Sequence, residues 1–234
     1  MPTTVNSIGT QYSGKKHLHK IQTNCEQCGR QATLYSYDTV KYFVILHLPL
    51  IPLQKPRIIN ECSLCQRHQF MKQSDWDDAK AKQIVDALTR LKSEPSSAEA
   101  VQAAIGTAIG FQDEPLFQAT VNSLLPELSK DHGVQISIAE GQRFFGKLEE
   151  SVAAFRKALA AKDDEPTRER MAAALIVLGR PEQAVPLLSH SNGLESVENA
   201  GYLWMLARGF QAQGMHSEAV HVFDRPSKPA CDCE

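Results

Sequence analysis

The 234 residues have an apolar share of 42% and a net charge of −2, which suits a folded chain of two domains or one elongated one; six cysteines are too few for a small disulfide scaffold. The charge is split: residues 1–72 carry nine Lys and Arg against three Asp and Glu, and residues 73–234 carry sixteen against twenty-four. A basic front (+6) therefore precedes an acidic back (−8), as expected of two modules whose signs permit one to dock on the other.

The first 20 residues, MPTTVNSIGTQYSGKKHLHK, lack an apolar core of signal-peptide length, and residues 1–19 are expected to form a flexible basic segment. Cys25-Glu-Gln-Cys28 and Cys62-Ser-Leu-Cys65 then give the pattern C-x2-C-x33-C-x2-C. Two cysteines three apart turn their sulfurs toward one point across a tight turn. Two such turns brought together make a tetrahedral four-sulfur site for structural Zn2+. Gly29 supplies positive φ after the first pair, whereas Gln66 stands at the equivalent place after the second, where the geometry is less evident. The expectation is one Zn2+ per chain on Cys25, Cys28, Cys62 and Cys65. A rubredoxin-type iron centre and unliganded or redox-active thiols are the alternatives. Four thiolates leave no open position for water, which argues against catalytic zinc. His17, His19, His47 and His68 are read as surface or tail residues, since four cysteines already satisfy the metal.

The chain between the pairs reads as strands. QATLYSYD alternates weakly, KYFVILHLPLIPL is rich in aromatic and β-branched residues, PRIINECSLC returns to the second pair, and HQFMKQ adds a short last strand. Residues 42–53 are the longest apolar run, too short for a helical membrane span and interrupted by His47, Pro49 and Pro52. Pro49, Pro52 and Pro56 confine part of it to a bend or an edge. Phe43, Ile45 and Leu48 are expected in the core, with Leu50, Ile51 and Leu53 projecting from the bend. A module of about 60 residues has too little interior for all of them. Cover by the chain's own helices is the first choice, ahead of a partner protein and a membrane surface.

CEQCG, the apolar stretch with Ile51-Pro52-Leu53 at its centre, and CSLC followed by Trp76 and acidic residues resemble a small zinc-ribbon family over roughly residues 20–80. The resemblance implies a zinc-bound ribbon with the four cysteines as ligands. It implies no reaction, because the family has no well-defined common activity.

From residue 74 the pattern is helical. Ser74 caps a first helix carrying Trp76, Ala79, Ile84, Ala87, Leu88 and Leu91; Ser96 or Ser97 caps a second; Pro115 suits the first turn of a third. Residues 74–133 link the ribbon to the later helices or cap them. In residues 134–226, Gly146, Gly179 and Gly214 are spaced by 33 and 35. Five residues after them stand Ser151, Ala184 and Ala219; six after, Val152, Val185 and Val220; nine after, Phe155, Leu188 and Phe223; seven before, Ala139, Ala172 and Ala207. Small residues at a crossing and bulky ones along one face let two antiparallel helices pack closely. This spacing resembles the tetratricopeptide family, with Gly193 in a loose connection and Trp204 away from the family's usual tryptophan position. A generic helical bundle is the alternative. The resemblance implies a concave face built from first helices, with Gln142, Arg143, Arg168, Arg208 and Gln211 as candidates to meet a peptide carboxylate or acidic segment.

The expected fold class is therefore α+β: a small β zinc ribbon over residues 20–73, then an all-α, tetratricopeptide-like helical-repeat solenoid. A flexible tail over residues 227–234 holds Cys231 and Cys233, which are too close for an easy disulfide. No phosphate loop, nucleophile elbow or HExxH occurs, and the acidic turn at residues 163–166 reads as a cap. The expected function is that of a non-catalytic, cytoplasmic, zinc-binding adaptor for a protein partner. The alternative is a nucleic-acid-associated ribbon making weak contacts through Tyr37, Lys41, Lys55 and Arg57, with Tyr35 and Tyr42 as further stacking rings.

Overall fold

The computed structural model describes residues 3–5, 8–46, 48–189 and 200–222. The expectations for His47, Gly193, Phe223, Cys231, Cys233 and the tail lie outside these. The chain is α+β and divides into two compact units, Met1–Asp86 and Ala87–Glu234.

The first unit is an open antiparallel sheet. Its strands are β1 (Thr3–Val5), β2 (Ile8–Asn24), β3 (Gln31–Ile45), β4 (Leu48–Gln54), β5 (Pro56–Cys62) and β6 (Gln69–Lys72), in the order β1-β2-β3-β5-β6, with β4 paired to β3. β3 is the hub. β2 runs along one edge of it from Ile8↔Ile45 to Asn24↔Gln31, while the other edge is shared by β4 against Lys41–Ile45 and β5 against Leu34–Asp38. The proline-rich run is thus an edge strand, with register shifts where the prolines interrupt it.

Two expectations need correction here. Residues 8–24 are a strand rather than a flexible segment. Their polar side chains hide the strand in the sequence, but β3 offers a full edge to pair with. The irregular stretch between Ser13 and His19, with Gly14 and His17 at positive φ, absorbs the mismatch. Second, the phase of β3 is shifted by one: Val44 is fully buried, Ile45 and Leu48 are exposed, and Phe43 is half-buried. A slip of one residue sends each side chain to the opposite face.

Mid-sheet, Asp38 and Arg57 face each other across the ladder and join at 2.7 Å, both nearly buried. His17 Nδ1 lies 2.6 Å from the other Asp38 oxygen, and the Arg57 guanidinium stacks 4.6 Å from the ring of Trp76. Trp76 belongs to α1 (Gln73–Ser93), which begins directly after β6, so Ser74 is inside the helix rather than capping it. Its hydroxyl donates to Asp75.

The second unit is a run of helical hairpins. α2 (Ala98–Gly110) pairs with α3 (Glu114–Asn122), α4 (His132–Phe144) with α5 (Leu148–Ala161), α6 (Glu165–Val177) with α7 (Pro181–Ser189), and α8 (Ala200–Ala212) with α9 (His216–His221). Ser97, Asp131 and Asp164 cap α2, α4 and α6 through their side-chain oxygens, so the acidic turn at 163–166 is a cap. Gly146, Gly179 and Gly214 all take positive φ, and Ala139, Ser151, Ala172, Ala184, Ala207 and Ala219 are all buried. Ser151 donates to the Ala139 carbonyl across the hairpin at 2.7 Å, which shows how close the helices approach. Val220 departs from the pattern, being exposed.

A fourth hairpin escaped the glycine alignment. Gln112 adopts φ 56 and lies 34 residues before Gly146. Asp113 N–H bonds to Ala108 O at 2.8 Å, just as Lys147 bonds to Gln142 (2.7 Å), Arg180 to Leu175 (2.9 Å) and Met215 to Phe210 (2.9 Å). Phe117 of α3 fills the space above Gly141 of α4, where a Cβ would overlap its ring.

Two substitutions test these contacts. Gly141→Ala should destabilise the helical unit by about 2 kcal/mol through overpacking against Phe117, read as an earlier thermal transition in circular dichroism. Asp38→Ala should destabilise the sheet by about 3–5 kcal/mol, because the buried Arg57 loses the carboxylate it is paired with; chemical denaturation followed by tryptophan fluorescence measures it.

Candidate metal centre

Cys25 and Cys28 occupy the turn between β2 and β3; Cys62 ends β5 and Cys65 lies in the turn before β6. The two turns are built alike. Gly29 N–H bonds to Cys25 O and Gln66 N–H to Cys62 O, at 2.7 and 2.9 Å. Each is closed by a second bond, Cys25 N–H to Arg30 O at 2.9 Å and Cys62 N–H to Arg67 O at 3.1 Å. Gly29 has φ 67 and Gln66 φ 58, so the second turn adopts the same geometry without a glycine.

The four sulfurs lie within 4.8 Å of one another, with Cys25–Cys65 at 3.8 Å and Cys28–Cys62 at 4.0 Å. A disulfide would need about 2.05 Å. A tetrahedral ion with metal–sulfur bonds of about 2.3 Å has sulfur–sulfur edges of about 3.8 Å, so the donor set fits a single ion. The cysteines also form part of the module's interior. Cys25 and Cys62 cluster with Ala32 and Leu34, with Ile21, Cys28 and Cys65 packed around them.

The thiols are unequal. The backbone N–H groups of Cys65 and Leu64 point at the Cys62 sulfur from 3.5 and 3.4 Å and, by favouring its thiolate, draw its pKa down to about 6. Cys28 is also lowered, chiefly by the Arg30 backbone N–H. The Arg67 N–H favours the Cys65 thiolate as well, but lost hydration and the crowding of the other three sulfurs prevail and push it up to about 11. A cation at the centre reverses that repulsion, since it favours all four thiolates.

The other sequence candidates scatter. Tyr37 is buried with the Lys15 ammonium 4.2 Å from its ring, and Arg57 is buried on Asp38; neither is available to a nucleic acid, which corrects that expectation. Lys41 is half-buried 6.0 Å from the Tyr12 ring, and Lys55 is exposed. Leu50, Ile51 and Leu53 are exposed on β4. On the first helices of the hairpins, Arg143 pairs with Glu140 and Arg168 with Asp163, both at 2.6 Å; Arg208 stacks 4.7 Å from the Trp204 ring, and Gln211 is exposed. Gln142 lines a groove of about 410 Å3 with Val121, Leu124, Ile138, Ala154 and Lys157. That groove draws on α3 and the segment after it, which the repeat spacing had not included.

No family model matches the chain. No curated protein matches it either. Among the solved structures similar to it are one described as the crystal structure of MamA (15% identity, TM-score 0.45, covering 67% of this chain and 93% of that one) and one described as the crystal structure of MamA protein (16%, 0.45, 64% and 80%).

Elemental analysis of reduced protein should find one equivalent of tightly bound metal, and Cys62→Ser should abolish it and unfold the sheet while leaving the helical signal largely intact. Binding displaces thiol protons, so metal affinity should fall as pH is lowered, most steeply below about 6, where even Cys62 of the metal-free site is protonated. A chelator competition series across pH reads it.

Proposed function

We propose that the chain is a non-catalytic adaptor. Zn2+ on Cys25, Cys28, Cys62 and Cys65 fastens the ribbon of residues 20–73, and the helical repeats over 134–226, extended through 74–133, engage a protein segment. The observation that carries this reading is the presence, in one chain, of a closed four-sulfur cluster and a run of four helical hairpins among the described residues. Four sulfurs complete the coordination of zinc, so the ion holds structure rather than activating water. Stacked hairpins present an extended surface suited to peptides. The groove beside Gln142 is mainly apolar, and the Gln142 amide, whose Oε1 has no hydrogen-bond partner, could turn to accept a peptide N–H there. Reduced, paired thiols suit the cytoplasm, and among the described residues no helix is long and apolar enough to cross a membrane.

The nucleic-acid reading retains only Lys41 and Lys55 of its four contacts, which favours a protein partner. The test is affinity capture from the native source with the full chain and its Gln142→Ala variant, whose melting temperature should be unchanged or slightly higher because an orphaned acceptor is removed. A partner held by the wild type and lost by the variant supports the adaptor. Identical capture by both removes the groove from the proposal. In mobility shifts across a salt series, nucleic acid should be released by physiological salt; tight binding there would put the alternative first.

A further inference from the structure

At the end of the sheet opposite the cysteines, the register sets apolar residues side by side. Ile8, Ile45 and Leu48 share one row, and Phe43 and Ile51 face each other two rows further in. Leu46, Leu48, Leu50 and Ile51 are 69, 62, 54 and 57% exposed, and all seven residues of β4 are exposed. A strand lying on a core alternates between covered and open positions; here neither face is covered. Pro49 and Pro52 leave gaps in the donors along β4, which makes it a poor template for strand addition by a peptide.

The composition changes in order with depth. Behind the apolar rows comes the row of Tyr42 and Gln11, then that of Lys41, Tyr12 and Gln54, with Lys55 next in the chain. Each row rises about 3.4 Å, so about 10 Å separates the Ile45 row from the Tyr42 row. Interfacial elements sink about 5–10 Å into the boundary between headgroups and acyl chains, with tyrosines at headgroup level and lysines just outside. Charge complementarity points the same way. Residues 1–25 and 39–60 contain no Asp or Glu. Asp38 is paired with Arg57 and bonded to His17, and Glu61 is paired with Lys15; Asp77 of α1 lines a shallow pocket with Lys55 and Lys72, where the two lysines outnumber it.

We propose that this end of the sheet docks into an anionic lipid bilayer surface, with Leu46, Leu48 and Leu50 entering the acyl boundary, Tyr42 at headgroup level, and Lys41 and Lys55 against the headgroup phosphates. A protein groove would have to match the proline-interrupted β4, which is exposed along its whole length beside the buried Val44. A bilayer accepts such a strand without a complementary shape, and the combination of apolar insertion with basic residues supplies the two signals that stable anchoring requires.

The test is cosedimentation of the full chain with phosphatidylcholine vesicles that hold about a third phosphatidylserine, beside pure phosphatidylcholine vesicles. Binding is expected to the first and to be weak to the second. Leu48→Ser with Leu50→Ser should weaken it at least ~10-fold at unchanged melting temperature and metal content. Lys41→Gln with Lys55→Gln should weaken it and flatten its salt dependence. Failure of the wild type to bind the anionic vesicles, or binding indifferent to the leucine changes, overturns the proposal. A lower melting temperature of the leucine variant would instead assign the patch to cover by the chain's own helices, and a change in oligomeric mass would assign it to a second copy; either result also overturns it.

Discussion

Four sulfurs within 4.8 Å of one another impose the constraint on which the first unit depends. Thiols crowded in this way resist ionisation together, as the raised Cys65 shows, so the cluster is strained towards protonation until a cation joins it. Holding it in place requires that the end of β2 and the end of β5 meet. β3 brings this about by pairing with both, through Asn24↔Gln31 on one edge and Leu34↔Cys62 on the other. Because Cys25 and Cys62 also lie in the interior with Ala32 and Leu34, coordination and packing are one event there, and a module this small has little else to rest on.

The helical unit rests on a different device. Each hairpin turns at a residue of positive φ, and the chain beyond the turn returns close enough that only small side chains fit at the crossing. Where a bulky residue appears, as Phe117 does, its neighbour contributes a glycine, Gly141, so the space is exchanged between helices rather than lost. The polar surface of the repeats is largely engaged with itself: Arg143, Arg168 and Arg208 each have an internal partner. That directs attention to the groove at Gln142 rather than to the arginines.

How far all this was legible in the sequence depended on how locally each feature is encoded. The cysteine pairs were readable because a knuckle is made within four residues. The small residues before and after Gly146, Gly179 and Gly214 were readable because the hairpin repeats them. Gln112 carries no such signal, because positive φ is marked in a sequence chiefly by glycine, though a polar side chain tolerates it when the surrounding helices fix the turn. β2 was missed because its pairing partner, not its own side chains, makes it a strand. The alternative role of Arg57 and Tyr37 as nucleic-acid contacts rests on their chemistry alone; Asp38 and Lys15, which draw them inward, are distant in sequence and adjacent only across the ladder.

The long pairing of β2 with β3 has a practical consequence for anyone shortening the gene. A fragment that starts at residue 20, the boundary that the cysteine motif suggests, keeps every metal ligand and discards the partner strand of β3 from Ile8 to His19. Such a fragment would fold around its ion with a row of open backbone donors and acceptors beside Phe43, Val44 and Ile45, an apolar edge of the kind that joins chains into aggregates. Its poor solubility would then reflect where it had been cut rather than any fault in the cysteine cluster.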